Sequence, residues 1–159
     1  MGPEHRYALT ATWLGNRGSG TSGYRDYDRT VRLESAGRLD LVVSADPSFR
    51  GDAGRWNPED MLLAALAECH LLSYLHACVA RGVVVTSYTD DATAVMRTEG
   101  NGGRFTSATL RPRVVVAEES MIDDALAAHD DAHEWCFIAN SVNFPVHHSA
   151  TVTASPAPS

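Results

Sequence analysis

The chain has 159 residues, three of them cysteine, and a formal net charge of −7; 44% of its residues are hydrophobic and 21% are charged. These values suit a single folded domain and exclude an intrinsically disordered chain. The acid surplus is spread along the sequence and repels phosphate backbones, so no nucleic acid is expected as partner.

The longest apolar run, Met61 to Ala67, falls far short of a membrane span, and the first ten residues, MGPEHRYALT, lack a basic stretch followed by an apolar segment. A cytoplasmic protein with no membrane partner is expected. Residues 1–153 read as one domain and 154–159, including SPAPS, as a disordered tail.

In chain order, His5 to Trp13 alternates as a half-buried strand does, with Tyr7, Leu9, Ala11 and Trp13 on one side. Asn16 to Gly23 (NRGSGTSG) is a turn or loop. Strands follow near Thr30 to Glu34 and Leu39 to Ser44, then an exposed loop from Ala45 to Trp56.

Asn57-Pro58-Glu59-Asp60 is a helix start: an N-cap, a proline in the first helical position and two acids at the positive end of the dipole. The helix is expected to run to about Ala80 and to stop at Gly82. Met61, Leu62, Leu63, Leu66, Leu71, Leu72, Tyr74, Leu75 and Val79 cover nearly all its sides, which predicts a buried helix.

Val83 to Met96 and Arg104 to Val116 are β-rich and joined by the turn EGNGG, as in a hairpin. Ser120 is placed to cap a second helix, Met121 to about Trp135, with Ile122, Leu126 and His129 facing inward. A last strand spans Val146 to Thr153. The resulting β-β-β-α-β-β-α-β order is an α+β fold whose apolar helix exceeds the cover its few strands supply, so a homodimer is expected.

The chemistry rests on the cysteines. None forms a C-x-x-C pair. Cys69 is mid-helix, on the side of Leu62, Leu66 and Leu72, and reads either as a core residue or as a fixed nucleophile. Cys136 sits where the second helix breaks, so it can move, as a resolving thiol must. Cys78 lies nine residues beyond Cys69, about 13 Å along the axis and on the opposite face; it cannot pair with Cys69 and reads as structural.

Asn57-Pro58-Glu59, an apolar stretch and Cys69-His70 resemble the N-P-E-x-L-L-x-A-x-x-x-C signature of the OsmC/Ohr peroxidases. Ala132-His133-Glu134-x-Cys136 with Asn140-Ser141 resembles that family's second cysteine motif, and the resemblance covers residues 5 to 153. Phe137 departs from the pattern, which usually has proline there.

The resemblance implies an intertwined homodimer with a buried central helix, no metal, no cofactor, a reactive Cys69 and a resolving Cys136. It also implies a glutamate and an arginine beside the thiol. Glu59 matches the glutamate. Arg25, in Gly23-Tyr24-Arg25-Asp26, resembles the arginine of the Ohr branch, and Arg50, in Phe49-Arg50-Gly51, that of the OsmC branch.

The implied reaction reduces an organic hydroperoxide to its alcohol. A Cys69–Cys136 disulfide results, and an external dithiol reduces it; in the Ohr branch this dithiol is carried by a lipoyl-bearing protein. Ten residues of helix separate Glu59 from Cys69, about 15 Å, so the glutamate must act through a broken helix, a bent loop or a second subunit. Trp13, Phe49, Trp56 and Phe144 are candidates for an apolar pocket wall.

Two other classes fit the same residues. His129, His133 and Cys136, at i, i+4 and i+7 with His147 and His148 nearby, share a helix face as zinc ligands do. A non-catalytic dimeric module binding a small apolar ligand is the other.

Overall fold

The computed structural model describes residues 2–155. The last four residues of the expected tail, 156–159, lie outside the described residues, while Ala154 belongs to a strand rather than to a tail. The chain forms an α+β fold divided into two compact units, Met1–Met61 and Leu62–Ser159.

In the first unit, β1 (Thr10–Trp13), β2 (Val31–Glu34) and β3 (Leu41–Val43) form an antiparallel sheet in that order. β1 is shorter than the alternation of His5 to Trp13 predicts, because ladder pairing with β2 begins only at Thr10, opposite Glu34. The Asn16 carboxamide closes the glycine-rich loop by accepting N–H bonds from Gly18 and Gly20 at 2.8 and 3.0 Å.

Further along, a short 3-10 turn (Pro47–Phe49) is capped by Asp46 and ends at Arg50. Arg50 is the single non-glycine residue with positive φ among the described residues, at 66°.

Helix α1 runs unbroken from Pro58 to Ala80. The Asn57 side chain caps it, accepting the Asp60 N–H at 2.8 Å, and Gly82, at φ 70°, ends it in the left-handed conformation that glycine adopts without steric cost. By length and composition alone α1 could also cross a membrane, a feature the seven-residue apolar run did not reveal. In this fold Leu66, His70, Tyr74, Ala77 and Cys78 are buried along it. The expectation of burial on every side does not hold within one chain: Leu72, Leu75 and Val79 are 59%, 38% and 78% exposed.

The second unit holds two three-stranded sheets, β4-β7-β9 and β5-β6-β8. Each long β segment expected from sequence breaks in the middle. Val83 to Met96 gives β4 (Val85–Asp90) and β5 (Thr93–Glu99); Arg104 to Val116 gives β6 (Gly102–Leu110) and β7 (Pro112–Val116); the last segment gives β8 (Val146–His148) and β9 (Thr151–Ala154). The halves enter different sheets, β8 pairing parallel with β6 and β9 parallel with β7. At the break Arg111 Nη1 donates to Thr93 Oγ1 at 2.8 Å and the Arg111 N–H to Asp90 Oδ1 at 2.7 Å.

Helix α2 (Ile122–Trp135) lies against this core on its small face: Ala125, Ala128 and Ala132 are fully buried and cluster with Tyr74, Ala77, Cys78, Val83, Val114 and Val116. Alanines let the helix approach closely enough for Tyr74 to donate its hydroxyl to the Ala125 carbonyl at 3.1 Å. Ser120 does not cap α2; it sits in a 3-10 turn (Glu119–Met121), and its hydroxyl reaches back to Glu118. Leu126, expected inward, is 42% exposed, whereas His129 is buried.

Candidate functional site: a cysteine pair beside an open apolar depression

Cys69 projects from the middle of α1 and Cys136 from the C-terminal end of α2, and the two thiols are close enough to influence each other's titration. Their settings differ. Cys69 is half-buried and lines a depression of about 720 Å³; Cys136 is 1% exposed and lies beneath it. The buried wall expected around Cys69 is therefore open on one side, because Leu72, one helical turn on, faces outward.

Cys136 closes α2 in an extended conformation (φ −70°, ψ 104°). That is the shape a residue takes before proline, so Phe137 leaves the chain direction of the motif intact. The Ala139 N–H donates to Cys136 Sγ at 3.4 Å, and the Ile138 N–H also points at the sulfur. Burial outweighs these contacts and, with the neighbouring Cys69 adding to it, pushes the Cys136 thiol up to about 11. Cys136 thus keeps its proton at neutral pH.

Cys78 is fully buried against Tyr74 and Arg81, and burial raises its thiol as well. It does not line the depression.

The depression is walled by Leu72, Trp135, Phe137 and Ile138, with Glu68 and Glu134 among its polar residues. Trp135 meets His76 edge-on, ring centroids 5.5 Å apart. The aromatic residues expected there lie elsewhere: Phe144 packs on Phe105, and Trp13 lines a separate hollow of the first unit with Tyr27 and Met61. Trp135 and Phe137, beside the second cysteine motif, were the residues the sequence reading missed; their adjacency to Cys136 was the available signal.

Glu59, Arg25 and Arg50 belong to the first unit. One carboxylate oxygen of Glu59 is buried without a hydrogen-bond partner. Arg25 and Arg50 are both exposed. Among the described residues of the second unit no arginine lines the Cys69 depression.

Behind the cysteine pair, His70 of α1, His129 and His133 of α2 and His148 of β8 form a cluster. His70 Nε2 and His129 Nδ1 are 3.1 Å apart, with rings within 4° of one plane and centroids 5.4 Å apart. The N···N line therefore continues through both rings, which is the geometry of a direct N–H···N hydrogen bond. Two ligands of one tetrahedral zinc ion would instead approach it at an angle. Tyr74 stacks on His129 at 4.0 Å, and His129 Nε2 is buried without a partner.

The zinc alternative is corrected on this point. His129 is spent on His70, and among the described residues no group of three His, Cys, Asp or Glu side chains is placed to hold a metal ion. Burial and the neighbouring His148 and His133 lower His70 to about 4; burial, His70 and His148 lower His129 to about 3.

Two thiols on converging helix positions, one open to an apolar depression and one buried beneath it, define a dithiol protein of α+β architecture. The profile of the family described as OsmC-like protein matches residues 51–150, and the chain belongs to that family.

Among solved structures, an OsmC-like protein of unknown function from Vibrio cholerae is 28% identical over 93% of this chain and 100% of its own, with a TM-score of 0.83. An organic hydroperoxide resistance protein from Elizabethkingia anophelis superposes with a TM-score of 0.66 at 18% identity, covering 96% of this chain and 100% of that one. The uncharacterized protein YmaD of Bacillus subtilis is 22% identical over 142 residues, 87% of each chain.

Proposed function

We propose that the protein is a cysteine-based peroxidase that reduces organic hydroperoxides. The observation that carries this reading is the proximity of the half-buried Cys69 thiol, which lines the depression, to the buried, protonated Cys136 thiol. Solved relatives of the same fold named as organic hydroperoxide resistance proteins support it.

In the first step the Cys69 thiolate attacks the terminal peroxide oxygen. The O–O bond breaks, sulfur is oxidised to a sulfenic acid, and the leaving alkoxide takes up a proton to become the alcohol. In the second, Cys136 sulfur attacks the sulfenic acid, a disulfide forms, and the hydroxyl leaves as water with the Cys136 proton. An external dithiol then returns both cysteines to thiols.

A thiolate at neutral pH needs a cation, and an arginine supplies one that stays charged and presents a planar fork to the peroxide oxygens. Because α1 is unbroken, the arginine and Glu59 act, in this reading, from a second copy of the chain in a homodimer. The left-handed backbone of Arg50 favours it over Arg25, since strain of this kind collects at functional residues. The exposed Leu75 and Val79 of α1 supply apolar surface for dimerisation.

One equivalent of cumene hydroperoxide added to reduced protein is expected to give a single Cys69–Cys136 disulfide by peptide mapping, with Cys78 still alkylatable. Cys69→Ser is expected to abolish turnover, and Cys136→Ser to consume one equivalent and stall. Full activity in Cys69→Ser would overturn the reading and favour a ligand-binding module.

A further inference from the structure

Besides apolar residues, the Cys69 depression is lined by two carboxylates, Glu68 one residue before the thiol on α1 and Glu134 on the last turn of α2. Neither forms an ion pair among the described residues, whereas Asp52, Asp91 and Asp131 are each matched by an arginine. The Asn140 side chain donates to the Glu134 carbonyl at 2.8 Å and fixes the backbone from which that carboxylate projects. Two uncompensated negative charges thus flank the approach to the sulfur, and both are solvent-exposed. Trp135 and Phe137 add ring faces that attract cations and repel anions.

We infer that Glu68 and Glu134 are specificity-determining residues that select hydroperoxides with an uncharged or cationic body and reject those carrying a carboxylate. The inference rests on the peroxidase reading. A substrate must place its O–O bond at Cys69, which leaves the rest of the molecule along the apolar wall of the depression that Glu68 and Glu134 also line. In surroundings close to water, a unit negative charge brought to a separation of roughly 7 Å from a carboxylate is disfavoured about two- to threefold. Both together give about five- to tenfold at low salt. The discrimination fades as the screening length contracts from about 10 Å at 0.1 M salt to about 3 Å at 1 M. An arginine beside the thiol, paired with Glu59 as the peroxidase reading has it, adds no net charge at the site and so shifts this ratio little.

The test compares cumene hydroperoxide bearing a para-carboxylate with the methyl ester of the same compound, at pH 8 and at 20 mM and 1 M sodium chloride. Unsubstituted cumene hydroperoxide serves as control. The ester is expected to exceed the acid at least fivefold in kcat/KM at low salt, and the ratio is expected to approach its Glu68→Gln/Glu134→Gln value at high salt. In that double variant the acid-to-ester ratio is expected to rise several-fold at low salt and to lose its salt dependence.

Equal use of acid and ester by the native protein, or an acid-to-ester ratio unmoved by the double variant, would overturn the inference while leaving the peroxidase reading intact. No turnover of unsubstituted cumene hydroperoxide would overturn the peroxidase reading itself.

Discussion

His70 Nε2 and His129 Nδ1 face each other at 3.1 Å in nearly coplanar rings, so α1 and α2 are joined by one shared proton. A further proton on either ring would place an imidazolium in a buried site that also holds His148 and His133 and is packed by Tyr74. The exposed Asp130 has a carboxylate oxygen 3.6 Å from His148 Nε2.

Stability is therefore expected to depend on pH in a defined window. The folded pKa values, about 4 for His70 and about 3 for His129, lie below the unfolded value of 6.5. The unfolded chain thus binds more protons between these limits, and stability is lost as pH falls from about 6.5 toward 4. Between pH 7.5 and 5 the loss is about 2 kcal/mol per histidine. The lowered carboxylates Asp46, Asp91 and Asp131 contribute only below about pH 4, the ordinary carboxylate range. Urea unfolding at pH 7.5, 6 and 5 measures the slope; equal midpoints would show that the histidines do not titrate in this way.

Thiol reactivity is expected to be sharply unequal. Iodoacetamide at pH 8 should modify Cys69 first, since it alone of the three lines the depression, while Cys136 and Cys78 are buried with raised pKa values. Mass spectrometry of the native protein should show one adduct at early times and three after denaturation. Early labelling of Cys78 would contradict the burial described.

For the arginine, Arg50→Met is expected to slow peroxide reduction about a hundredfold, as loss of an oxyanion-stabilising group does. The deficit should be smaller at pH 9 than at pH 7. Arg25→Met should cost far less. Stopped-flow measurement of the first turnover separates the two, and a larger effect at Arg25 would reverse the assignment.

Tyr74→Phe removes the hydroxyl that satisfies the Ala125 carbonyl inside the core. A cost of about 1 to 2 kcal/mol in unfolding free energy is expected, with the ring stacking on His129 retained. An unchanged urea midpoint would mean that the carbonyl finds another partner.

Much of the fold was legible where a residue type has one local role. Asn57, Pro58 and Gly82 mark the ends of α1 because capping and left-handed backbone are local requirements. The partition of the strands was not legible, since Val83 to Met96 has β composition throughout and its break near Asp91 depends on Arg111, some twenty residues away.

At the site, the two cysteines could be singled out from helix spacing and motif, but the exposure of Cys69 could not. It follows from Leu72 facing outward on a helix whose apolar residues point in every direction. Of the histidine cluster, His129 and His133 are legible from their spacing on one helix and His148 from its place nearby in sequence, whereas the pairing with His70 on the other helix is announced by no spacing within a single element.

The parallel pairing of β8 with β6 and of β9 with β7 also sets an order of events for a chain emerging from its N-terminus. Neither sheet of the second unit can gain its third strand until residues 146 to 154 are free to fold back across a helix and a loop, a long-range closure that is entropically slow. His148 arrives on β8. The cluster behind the thiols is therefore completed only once β8 has docked on β6, and Cys69 and Cys136 both precede that strand in the chain.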